Sequence, residues 1–176
     1  SSRQWTNELE LPQALKPDTP LKPHQREGLF WLQRCRELRP DRRGVLLADD
    51  MGLGKTVQIL AHLARAIEQG SLRSSHTQSG DSAPWRPILI VAPLLLVESE
   101  TWRNEMRRFF RHDGDIFEPV LVLHGPGIDR VRAGRGKGQE TIVGKPLLYA
   151  DKLMQYRTVI TNYDTVVRYQ HSFAQL

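Results

Sequence analysis

Asp49-Asp50-Met51-Gly52-Leu53-Gly54-Lys55-Thr56 is the stretch of this 176-residue chain whose residue types and spacing could do chemistry. Glycines at 52 and 54 permit a tight backbone turn whose N–H groups face inward, a geometry that suits a phosphate. The last three residues match the end of G-x-x-x-x-G-K-[ST], the phosphate loop, although Asp49 stands five residues before Gly54 where that pattern has Gly. In such a loop the lysine, here Lys55, contacts the β- and γ-phosphates of ATP, and the hydroxyl, here Thr56, holds magnesium. Lys55 and Thr56 are thus the candidate catalytic residues. Asp50, Met51, Gly52, Leu53, Gly54, Lys55 and Thr56 form the candidate nucleotide contact, with Thr56 as the metal ligand.

The elements that must position this loop are legible on both sides. Gly44-Val45-Leu46-Leu47-Ala48 reads as a short buried strand entering it. A helix from Lys55 to about Gln69 leaves it, with the apolar stripe Val57, Leu60, Leu63, Ala64 and Ile67 and with Gly70 as terminator. An earlier helix starts at Pro23 and carries Leu29, Leu32, Cys35 and Leu38 on one face. Further along, 87–92, 119–124 and 158–161 read as strands, and 97–110 as a helix bearing Trp102, Met106, Phe109 and Phe110 on one side. Residues 71–86, rich in Ser, Thr, Gln and Asp, read as a mobile surface loop. Residues 1–20, with Pro12, Pro17 and Pro20, read as an arm or linker. Strands alternating with helices predict a parallel α/β sheet flanked by helices.

Composition bounds the class. The hydrophobic share of 39% and charged share of 26% are those of a globular domain. The longest apolar run, 88–97, is too short to span a bilayer. The single cysteine, Cys35, excludes an internal disulfide and suits a reducing compartment, which places the protein inside cells, in cytoplasm and nucleoid or in a nucleus. A formal net charge of +5 suits a polyanionic partner such as nucleic acid. Residues 125–145 add a glycine-rich basic stretch with Arg130, Arg132, Arg135, Lys137 and Lys145, either a solvated excursion or a backbone-following loop.

Outward from the loop, Asp49 to Thr56 closely resembles the first motif of the Swi/Snf-like ATPases, a branch of helicase superfamily II, in which Asp50 is usually Glu. Leu21-Lys22-Pro23-His24-Gln25, followed by Gly28 and Trp31-Leu32, resembles that family's adenine-recognition segment. The resemblance implies that Gln25 reads the adenine edge, with His24 in place of the usual Tyr. Ile90-Val91-Ala92-Pro93-Leu94 followed by Trp102 and Met106 is similar to the next motif, whose loop touches nucleic-acid backbone. Val159-Ile160-Thr161-Asn162-Tyr163 is similar to a later one. The resemblance implies nucleic-acid contacts at Pro93, Leu94, Thr161 and Asn162. It also implies that residues 21–176 are the opening part of a first RecA-like lobe.

In that family an acidic strand completes the magnesium site, and a second RecA-like lobe supplies arginine fingers; neither is found in these residues. The expectation is an N-terminal part of an ATP-dependent double-stranded-DNA translocase of the remodelling type. By itself it would bind nucleotide and hydrolyse it negligibly, its partners being duplex DNA and the second lobe in cis. Two other readings stay open: a strand-separating DNA or RNA helicase or defence-system motor subunit, and a nucleic-acid-binding module that responds to nucleotide without hydrolysing it.

Overall fold

The computed structural model describes residues 8–38, 44–72, 86–134, 138, 140 and 145–175. The chain divides into two compact units, one of residues 1–71 and 105–116 and the other of residues 72–104 and 117–176.

The first unit is built on two helices, α1 (Pro23–Leu38) and α2 (Lys55–Glu68). Leu29, Leu32, Val57, Leu60, Ala64 and Ile67 are buried, as their helical spacing predicts, and Ala61 joins them. Each of the leucine, valine and isoleucine side chains contributes about 1.5–3 kcal/mol when fully buried. Leu63 and Cys35 lie only partly buried, and the side chain of Leu38 is outside the described set. Gly28 lets the helices approach: a Cβ there would run into the Oε1 of Gln58, a fully buried side chain of α2.

Residues 8–20 are held against this unit. Glu10 exchanges hydrogen bonds with Gln33, its N–H donating to Gln33 Oε1 at 3.3 Å and its carbonyl accepting from Gln33 Nε2 at 2.7 Å. Its carboxylate meets Arg65 Nη2 at 2.5 Å. Glu68 accepts the N–H groups of Gln13 and Ala14 at 3.0 and 2.8 Å. Lys16 Nζ donates to the carbonyls of Arg107 and Arg108 at 2.8 and 3.0 Å. These contacts make a strap of what composition alone reads as an arm.

The second unit holds a three-stranded parallel sheet. Its strands are β1 (Ile88–Val91), β2 (Val120–Val122) and β3 (Thr158–Thr161), in the order β1-β3-β2. Ile88 faces Thr158 on one side, and Val120 faces Thr158 on the other. The middle strand is buried along its whole length, so it reads as an unbroken apolar run with threonines at its ends. Leu121, Leu123, Val131, Leu148, Leu153, Val159 and Tyr169 form the core. Short helices connect and close it: α3 (Leu94–Glu98), α5 (Pro126–Asp129), α6 (Ala150–Leu153), α7 (Tyr163–Arg168) and α8 (Gln170–Phe173). Glu140, 3% exposed, ties this unit together by accepting from the N–H groups of Leu147, His171 and Ser172 and from the Ser172 hydroxyl.

Two expectations are corrected. The predicted helix over 97–110 is two helices, α3 and α4 (Thr101–Phe109), because Glu100 takes φ of 52°, a left-handed conformation that no α-helix continues through. The predicted strand over 44–48 forms no ladder: Val45 and Leu46 are 48% and 81% exposed. An apolar run becomes a strand only with a neighbour to share its N–H and C=O groups, and among the described residues none pairs with it. The predicted mobile loop over 71–86 lies outside the described residues for 73–85.

Candidate functional site

Local sequence shapes the phosphate loop. Gly54 sits at φ 82°, ψ 34°, immediately before the first turn of α2, and a Cβ there would strike Gln25 Nε2. Glycine is therefore required twice over, for its left-handed backbone and for the close approach of Gln25. The start of α2 has no side-chain cap, so first-turn N–H groups stay available to an anion, with the helix dipole favouring one. Lys55 Nζ donates to the carbonyls of Asp49 and Asp50 at 2.6 and 2.8 Å. Its ammonium rests on the loop's own oxygens, acceptors of the kind a phosphate would present in their place. Thr56 follows in the first turn, partly buried. This set of cation, hydroxyl and free N–H donors fits a magnesium-bound nucleoside triphosphate.

The segment at the head of α1 braces that loop. Gln25 is 9% exposed, and both ends of its amide are engaged. Its Oε1 accepts from Lys22 N–H at 3.0 Å and its Nε2 donates to the Leu53 carbonyl at 3.0 Å. His24 Nε2 reaches the same carbonyl at 3.1 Å. Two adjacent side chains at the head of α1 thus hold one carbonyl of the phosphate loop. Reading adenine would require Gln25 to exchange both partners for the base edge. Beside the loop opens a cleft of about 500 Å³ lined by His24, Glu27, Trp31, Leu47, Asp49 and Leu53. The imidazole and the indole give it surfaces on which a purine could lie. Sequence reasoning singled out Gln25 but missed the bracing part of His24, whose only signal is adjacency.

The other candidate contacts lie in the second unit, where β1, β2 and β3 end together. Parallel sheets present their ligand sites at this carboxyl edge. Pro93 and Leu94 follow β1 and are exposed. Thr161 and Asn162, which end β3, are buried, at 0% and 4% exposure. The Thr161 hydroxyl donates to the Leu123 carbonyl at 2.9 Å. Asn162 caps α7 by accepting the Thr165 N–H at 2.8 Å, and its Nδ2 lies 3.2 Å from His124 Nδ1. The next residue, Tyr163, is 60% exposed. At this edge Pro93 and Leu94 are open to solvent, whereas Thr161 and Asn162 are engaged in holding it together.

In the basic stretch, Arg132 turns inward: its Nη2 donates to the hydroxyl of the buried Tyr169, and its guanidinium lies 5.6 Å from that ring's centroid. Arg130 and Lys145 are exposed, and Arg135 and Lys137 fall outside the described residues. Among the described residues no helix is long and apolar enough to cross a membrane.

Comparison with known proteins gives one answer. The chain is 42% identical over 126 residues to the Zorya protein ZorD of Escherichia coli O139:H28, covering 71% of this chain and 10% of that protein. It is 32% identical over 133 residues to the DNA repair and recombination protein RAD54-like of Gallus gallus, covering 73% of this chain and 16% of that one. Among solved structures it resembles the Sulfolobus solfataricus SWI2/SNF2 ATPase core in complex with dsDNA. The TM-score is 0.58 at 24% identity, over 92% of this chain and 25% of the other, a likeness of fold. The chain thus spans a small part of the relatives it matches. The profile of the SNF2-related domain matches residues 24–176, nearly the whole chain, and the chain belongs to that family, with the fold of the N-terminal RecA-like lobe of helicase superfamily II.

Proposed function

We propose that this chain is the nucleotide-binding first lobe, residues 21–176 preceded by an arm at 1–20, of an ATP-driven motor that moves on double-stranded DNA. The observation that carries the reading is the arrangement of Gly54, Lys55 and Thr56 at an uncapped helix start, with the Lys55 ammonium resting on the Asp49 and Asp50 carbonyls. Binding of a triphosphate would draw Lys55 off those carbonyls onto phosphate oxygens, a trade of neutral acceptors for charged ones that favours the ligand. Magnesium, when bound, would offset phosphate charge, and Thr56 would be the side chain to hold it. The cleft beside His24 and Trp31 is the candidate seat of the adenine. Duplex DNA as the partner is supported by the solved SWI2/SNF2 core with dsDNA and by the net charge of +5.

The test is a titration with a fluorescent ATP analogue and magnesium, run beside Lys55→Ala. Saturable binding that weakens by about tenfold or more in the variant is expected, since a charge-assisted contact contributes about 1.5–3 kcal/mol. Equal binding by both proteins would overturn the assignment of this loop.

A further inference from the structure

His124 is not among the residues that the sequence motifs point to, yet it sits on the carboxyl edge of the sheet. It follows β2, and Asn162 follows β3 on the neighbouring strand. Glu98 closes α3, the helix that follows β1. The three side chains make a chain of contacts: Asn162 Nδ2 to His124 Nδ1 at 3.2 Å, and His124 Nε2 to Glu98 Oε1 at 3.4 Å.

The orientation of each group follows from its neighbour. Asn162 Oδ1 is committed as acceptor of the Thr165 N–H, so the end of the amide that faces His124 is the NH2. An NH2 can only donate, so Nδ1 of His124 is the bare, accepting nitrogen. In the neutral imidazole the proton then sits on Nε2. Asn162 is 4% exposed, so this setting is made inside the protein. The nitrogen that carries the proton, Nε2, is on the other side of the ring of a side chain 34% exposed, 3.4 Å from the carboxylate of Glu98, which is 56% exposed.

We propose that His124 is a phosphate-backbone contact of this edge, preset as an Nε2–H donor by Asn162 and occupied by Glu98 until nucleic acid displaces it. The proposal rests on the duplex-DNA reading above. A DNA phosphate is an anionic oxygen acceptor like a carboxylate, so it competes with Glu98 for the same N–H. Glu98 sits on the last residue of a five-residue helix, largely in solvent, and can swing off without disturbing the core. Its negative charge at a phosphate-binding edge lowers affinity, which makes the exchange a brake on non-specific binding.

The experiment is anisotropy of a short fluorescein-labelled duplex titrated with the chain at low salt, with four variants. Glu98→Gln tightens binding by about threefold, because the carboxylate no longer competes with phosphate for the His124 N–H. His124→Asn keeps an acceptor near the Nδ1 position but has no group at Nε2, and weakens binding by about fivefold. His124→Gln, whose amide reaches the Nε2 position and can donate, restores binding to within about twofold. In the double variant Glu98→Gln with His124→Asn, the gain from Glu98→Gln disappears. If that gain persists there, or if Glu98→Gln leaves affinity unchanged, competition for His124 is overturned. Glu98 is exposed, so that arm stands even if His124→Asn melts early. A wild-type chain that binds no duplex would instead remove the duplex-DNA reading, and this proposal with it.

Discussion

Two titratable side chains make the protein sensitive to acid, by different physics. Burial, then the charges of Arg36 and Arg65, push the His62 imidazole down from 6.5 to about 4. The folded state therefore prefers the neutral ring, and its contribution to stability is complete above pH 6.5 and lost as pH falls toward 4. For Glu140, burial pushes the carboxyl up. The Ser172 hydroxyl and the N–H groups of Leu147, Ser172 and His171 outweigh it and hold the group below 4.5. Its contribution is present above 4.5 and lost as pH falls further, through the folded value. Thermal unfolding across this range should show Tm falling in two windows. His62→Leu should flatten the upper window and leave the lower one. Glu140→Gln should flatten the lower window and cost about 2 kcal/mol at neutral pH, because hydrogen bonds to a charged acceptor are lost. A Tm that does not move between pH 6.5 and 4 would contradict the His62 assignment, and one that does not move as pH falls below 4.5 would contradict that of Glu140. At this scale Lys55 and Thr56 stand out in the sequence, because the pattern that marks them is local. The sequence did not disclose Glu140, because the groups that charge it arrive from Leu147, His171 and Ser172, which only folding assembles.

At the scale of elements, the strap carries the least expected burden. Glu10 joins Gln33 of α1 to Arg65 of α2, so the helix pair that presents Gln25 and Lys55 is clasped at its far end. Glu10→Ala removes the carboxylate from an Arg65 that is 8% exposed and should destabilise the first unit by about 1–3 kcal/mol. Hydrogen exchange checks this: the Gln13 and Ala14 N–H groups, held by Glu68, should lose protection first. Unchanged protection there would show that the strap is held without Glu10. The helices α1 and α2 and the strands β1 and β3 were legible to within a residue or two, since their apolar periodicity is a property of each segment alone. The run at 44–48 carries a strand pattern but no ladder, and 97–110 carries one helical pattern but two helices. Pairing and a single left-handed residue at Glu100 are not written into periodicity.

For the molecule as a whole, the prediction concerns turnover. The proposed motor needs an acidic pair on the magnesium and an arginine finger on the transferring phosphate, and these residues contain no motif for either. The chain should therefore bind nucleotide yet hydrolyse it slower than an intact motor by about a thousandfold or more, the cost of a missing arginine finger alone. Phosphate release measured with and without duplex DNA checks this, and turnover at a motor's rate would show that the chain supplies those groups itself. The sequence alone determined the family, the phosphate loop and the α/β class, because glycine spacing, the lysine–hydroxyl pair and helix or strand periodicity are set by neighbours along the chain. Only the tertiary structure decided that Gln25 and His24 brace the Leu53 carbonyl, that Thr161 and Asn162 face inward, and that His124 stands between Asn162 and Glu98. Those roles depend on which donors and acceptors meet across 26 to 38 residues of chain, and such a contact is defined by distance in space, not by order in sequence.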